Sequence, residues 1–254
     1  MIKKILIAFL VLFLFSCDKE IKKKPTKNII VLFDCSGSAE KLKEQYAENL
    51  NNIISKIEFG DTLIASKISG SSLTETKIAF LKEFSEFSGL DKRGNPIDND
   101  LLLSKALKEA TSKLEEEKTK AIEEAKNKVI YAAVEDGTEI LSSLIVVEKL
   151  SKKFKKDRTI LVIFSDMEEW SGKYKFNEEN LTEQRIQKII EKEKSTNQIP
   201  DLKDIIVNVI ASGSKRDSKK YQEIKNFWMK YLLDAGATIK DEDYNSFFST
   251  IRIE

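Results

Sequence analysis

Histidine is absent from all 254 residues. That excludes Ser-His-Asp and Cys-His nucleophile systems and every histidine-ligated zinc or iron site. Cysteine is nearly absent, with Cys17 and Cys35 only, and no disulfide framework is expected from a pair of which one, Cys17, closes the N-terminal apolar segment. An excess of either charge is missing too: 43 lysines and arginines against 42 acidic residues leave a formal +1. No global field therefore recruits nucleic acid or anionic lipid, and no nucleic-acid partner is expected. The longest apolar run, Ile5 to Phe15, has eleven residues, well short of the roughly 20 that span a bilayer as a helix. What remains is a chain with 41% hydrophobic and 33% charged residues, ample for one sizeable core with solvated helix faces.

Three apolar segments end in residues with chemistry. Ile29 to Phe33 is unbroken and leads into Asp34-Cys35-Ser36-Gly37-Ser38. It reads as a strand covered on both faces, as in a parallel sheet flanked by helices. Its tip gathers one carboxylate and two hydroxyls, the outline of a hard-cation site. Thr159 to Phe164 is a second such strand, ending on Ser165-Asp166. Between them, Gly137-Thr138-Glu139-Ile140 opens into a helix-like pattern closing at Leu144. Functional loops of open α/β sheets lie at the carboxyl ends of their strands.

In this order the three segments resemble the metal-ion-dependent adhesion site of von Willebrand factor A domains. The resemblance implies a doubly wound, mostly parallel α/β sheet over residues 28 to 254. It also implies a Mg2+ or Mn2+ ion held by Asp34, Ser36, Ser38, Thr138 and Asp166. The serine hydroxyls would bind directly, Thr138 directly or through water, and the two aspartates mainly through water. One coordination position stays available, so the implied partner is a protein offering an acidic side chain, and no catalysis is expected. Gly37 is expected to permit the turn that brings both serines inward. Two other readings stand beside this one. In the first, Asp34 merely caps the following helix and the chain is a metal-free structural envelope protein. In the second, Asp34 or Asp166 serves a metal-dependent hydrolase, although such enzymes set two acids directly on the metal.

The N-terminus carries a separate message. Met1-Ile2-Lys3-Lys4, the apolar run and Leu14-Phe15-Ser16-Cys17 have the order of a signal peptide. The last four residues resemble a bacterial lipobox, which implies removal of residues 1 to 16, lipid on Cys17, and an address in the bacterial cell envelope. Residues 18 to 27 are polar and lysine-rich, a tether rather than part of a core.

Strands and helices alternate along the body, which predicts right-handed crossovers. A helix is expected over Ala39 to Phe59, strands at Thr62 to Ile68 and Thr76 to Phe80 (the latter at an antiparallel edge), a strand at Asp204 to Ala211, a helix at Tyr221 to Ala235, and a last strand from Gly236. Residues 99 to 134 contain neither proline nor glycine and read as a helical insertion. The expectation is a long helix or hairpin beside the sheet with its middle in water, the alternative a projecting arm. Cys35 should point inward as a small hydrophobe. Glu168 reads as part of a solvated helix start, and Trp170 as either a rim contact or a core cover.

Overall fold

A computed structural model describes residues 24–68, 70, 78–133, 137–211 and 218–245, without the side chains of residues 38 and 39. Six strands form one sheet in the order β3-β2-β1-β4-β5-β6. They are β1 Lys27–Asp34, β2 Thr62–Ile68, β3 Phe80–Glu83, β4 Arg158–Phe164, β5 Ile205–Ile210 and β6 Tyr244–Asn245. All neighbours pair in parallel except β2 and β3. The helices are α1 Lys43–Ser55, α2 Asp100–Ala125, α3 Ile140–Lys153, α4 Glu183–Ser195 and α5 Lys219–Asp234.

Alternation along each strand sorts its side chains onto two faces. Ile29, Val31 and Phe33 of β1 pack with Tyr46, Leu50 and Ile53 of α1 and with Leu114, Ala121 and Ala125 of α2. Ile30 and Leu32 face the other way, into a larger cluster built by α3, α4 and α5. All eight residues of β1 are buried, which is why its sequence is a continuous apolar run and not an alternating one. The chain is therefore a doubly wound α/β sheet, as expected. Its strand order reverses between β1 and β4, so the switch point lies between the strands that end on Asp34 and Phe164.

Several boundaries differ from expectation. The antiparallel edge strand begins at Phe80 and does not end there, while residues 71 to 77 lie outside the described ones. Glu83 pairs with Thr62 and Ala65 with Phe80, so tertiary pairing, not local apolarity, sets its register. The helix after β1 starts only at Lys43, behind a 3-10 turn over Gly37–Leu42, and stops at Ser55. Near the end, Thr238 makes an isolated bridge to Ile206, and the paired segment is Tyr244–Asn245. Helix α4 was not anticipated. Its buried stripe is only Ile186, Ile189, Ile190 and Glu193, within a lysine- and glutamate-rich segment.

Helix α2 is a single continuous helix with Asn99 as its N-cap, the side chain accepting from the Leu101 and Leu102 amides. A π turn over Lys126–Ile130 ends it. One face of its middle is in water, as expected, with Glu115, Glu116, Thr119 and Lys120 exposed, while the other face packs: Leu114, Lys118, Ala121 and Ala125 are the buried positions. Glu117 accepts from the amide and hydroxyl of Ser85, and the Lys118 ammonium donates to the Ser55 carbonyl. No residue from 100 to 113 is buried.

Candidate functional site

Parallel register puts Phe33 opposite Phe164, so Asp34 and Ser165 are the next residues out at adjacent strand tips. Asp34 is buried. Its Oδ1 accepts from the Ser36 amide at 2.9 Å and its Oδ2 from the Ser165 hydroxyl at 2.8 Å. The same Ser165 Oγ accepts from the Met167 amide at 2.9 Å. Ser165 thus ties the two tips and starts the loop that carries Asp166.

Burial pushes the Asp166 carboxyl up to about 7, against the Glu168 amide that donates to it at 3.0 Å. The charges of Asp34 and Glu168 push it further the same way. Glu168 is likewise raised, first by burial, with Lys220 opposing and Asp34 adding. A cluster of carboxyls that resists ionisation gains most from a nearby cation. Hydroxyl and carboxylate oxygens, with no nitrogen or sulfur, suit Mg2+ or Mn2+. Among the described residues no group of three or more acidic, histidine or cysteine side chains lies together in a metal-holding arrangement. A hydroxyl-rich set needs only the two aspartates.

Thr138 is buried on the loop before α3. Its amide donates to the Trp170 carbonyl at 3.0 Å, and the Trp170 amide donates back at 2.9 Å. Gly137 beside it has φ +81, and a Cβ there would meet Gly70 Cα at 3.2 Å and the Trp170 carbonyl oxygen at 3.4 Å. This glycine, and not Gly37, is the one that geometry demands. Gly37 is not among the left-handed glycines, and a Cβ on it would have nothing within 4 Å.

The segment after Asp166 is not the solvated helix start that its sequence suggested. Met167 is fully buried with φ +65, held by its amide bond to Ser165 and by its carbonyl, which accepts from Trp228 Nε1 at 2.8 Å. Glu168 is half-buried. Glu169 is 1% exposed, and its Oε2 accepts from the Ile140 and Leu141 amides at 2.8 and 3.1 Å. It supplies a remote cap to the N-terminus of α3, whose own N-cap Glu139 makes no side-chain cap bond. Burial pushes Glu169 to about 7 despite those two amides. Trp170 is a rim residue, 40% exposed, with the Lys175 ammonium 4.6 Å from its ring centroid. Cys35 points inward, as expected, its Sγ 3.6 Å from the Val129 carbonyl.

Of the residues expected from sequence, the fold brings Asp34, Ser36 and Asp166 to neighbouring tips and sets Thr138 on the strand-like bridge to Trp170. The Ser38 side chain and Cys17 lie outside the described parts. Two positioning residues went unrecognised, Ser165 and Glu169. Ser165 stood next to Asp166 in the sequence, but its partner is 131 positions away.

No family model matches the chain, and no curated protein matches it. Among solved structures it is similar to a von Willebrand factor type A protein from Catenulispora acidiphila, at 9% identity and TM-score 0.38, over 84% of this chain and 43% of that one. It is also similar to the pilus adhesin SpaC from Lactobacillus rhamnosus GG in its open conformation, at 12% identity and TM-score 0.41, over 88% and 28%. A third is the three N-terminal domains of the type V pili tip protein Mfa5 from Porphyromonas gingivalis, at 9% identity and TM-score 0.31, over 57% and 20%. The chain spans less than half the length of each of these structures.

Proposed function

We propose that this chain is a von Willebrand A-like binding module, tethered to the bacterial cell envelope through lipid on Cys17, that captures a partner carboxylate through a divalent cation. Asp34, Ser36, Ser38, Thr138 and Asp166 hold Mg2+ or Mn2+, and the ion supplies the positive charge that the incoming acid meets. The observation that carries the reading is the pair of aspartates at the switch point, where burial and mutual repulsion hold Asp166 near 7. A cation there relieves the repulsion. Binding, rather than catalysis, is favoured by a strand-one loop that supplies one acid and two hydroxyls, where metal-dependent hydrolases set two acids directly on the metal.

Both Asp34 oxygens already accept hydrogen bonds within the protein. That favours a second reading, in which the tip is held together without metal and the chain is a structural envelope module. Thermal unfolding of the full chain with and without millimolar MnCl2 separates the two. Under the metal reading wild type gains stability, because a ligand that binds only the folded state stabilises it by mass action, while Thr138→Val and Asp166→Asn lose the gain. Equal responses of wild type and both variants would leave the metal-free reading standing.

A further inference from the structure

The free half of α2 projects from the same pole at which the chain enters the domain. Glu117 and Lys118 mark where the helix leaves the body, since they bind Ser85 and the Ser55 carbonyl. Ser85 in turn accepts from the Gly60 amide, so this is the loop cluster at the amino ends of the strands. The N-terminal segment enters at that cluster too. Lys24 pairs with Glu58, the Lys27 amide donates to Asp61, and Thr26 donates to Asp157. Asp34 and Asp166 lie at the opposite pole.

From residue 117 back to residue 100 a helix extends about 25 Å at 1.5 Å per residue. Behind the exposed polar residues Asp98, Asn99 and Asp100, the end of that arm carries uncovered leucines: Leu101 is 79% exposed and Leu102 58%, with Leu107 and Leu90 also exposed. Leu103 is half-buried, but the exposed Leu101, Leu102 and Leu107 point in directions about 100° to 140° apart, so they spread around the arm instead of forming one seam. A single partner helix covers a seam, whereas a lipid surface accepts leucines spread in this way.

We propose that the free half of α2 is a strut whose leucine tip rests in the bilayer that carries the N-terminal anchor, holding the domain with its Asp34–Asp166 pole facing away. The proposal rests on the reading that Cys17 carries lipid. Cys17 and Lys24 are seven positions apart, a reach of about 25 Å when extended, which matches the arm. Tethering keeps the tip at high effective concentration near the membrane, so a contact of few leucines suffices. No helix among the described residues is long and apolar enough to cross; the strut lies against the lipid.

The test uses the full chain, purified with its anchor and reconstituted into phosphatidylethanolamine and phosphatidylglycerol vesicles. Nitroxide labels are placed through Leu102→Cys and, at the far pole, Lys41→Cys; native Cys35 is buried. The expected result is flotation with the vesicles, a Leu102 label collided with by oxygen in preference to a polar nickel complex, and a Lys41 label with the reverse preference. Flotation with both labels in water overturns the strut and leaves the anchor standing. Failure to float overturns both. Spin–spin broadening between Leu102 labels would show a second copy covering the arm, and overturns the bilayer contact.

Discussion

The hydroxyl of Ser165 donates to Asp34 Oδ2 at 2.8 Å across the junction of β1 and β4, and both residues are buried. One small side chain thus joins two strand tips that are 131 positions apart in sequence. Replacing it leaves two buried groups short of a partner, the Asp34 carboxylate and the Met167 amide. Ser165→Ala should lower unfolding free energy by about 2 kcal/mol, since an unmet buried polar group costs roughly 1–3 kcal/mol. Urea unfolding measures it, and a loss below a few tenths would show that the tips hold without the bond.

Gly137→Ala adds a methyl 3.2 Å from Gly70 Cα at φ +81. Left-handed backbone costs a residue with Cβ about 1–2 kcal/mol, and the crowding adds to this. Stability should fall by at least that much, and under the proposed metal reading the gain from Mn2+ should shrink because Thr138 is the next residue. A variant as stable as wild type would mean that the loop tolerates a different path.

Met167 sits at φ +65 although it carries a side chain. Met167→Gly relieves a strain of about 1–2 kcal/mol but empties a fully buried position, and truncating buried methionine costs about 2–5 kcal/mol. Burial wins, so glycine should destabilise by about 2 kcal/mol. Calorimetric unfolding would reveal the opposite sign if backbone strain dominated.

Asp166 and Glu169 are both raised to about 7 in the folded protein, against about 4 when unfolded. Between these values the folded state binds more protons than the unfolded one, so stability falls as pH rises. Metal-free protein should therefore be more stable near pH 4 than pH 7 as far as these two groups govern it. Asp166→Asn and Glu169→Gln should each flatten part of the slope measured by denaturant unfolding across that range. An unchanged slope in both variants would place the dependence elsewhere.

Continuous apolar runs made β1 and β4 legible in the sequence, because a strand covered on both faces has no polar positions to blur it. The residues at their tips were legible for the same reason: Asp34, Ser36 and Asp166 follow directly where apolarity stops. The helix over 100 to 125 was legible from composition. By itself the sequence determined the central strands β1, β2, β4 and β5, that histidine chemistry is excluded, and where candidate oxygen ligands fall. Tertiary structure alone decided the rest. Ser165 and Glu169 owe their roles to partners 131 and 28 to 29 positions away, which no local pattern encodes. The edge strand took its register from β2, and Met167 its glycine-like conformation from Ser165 and Trp228. Whether α2 packs along its length or leaves half of itself free was set by where the sheet ends, since a helix keeps its pitch while the core that covers it does not extend as far.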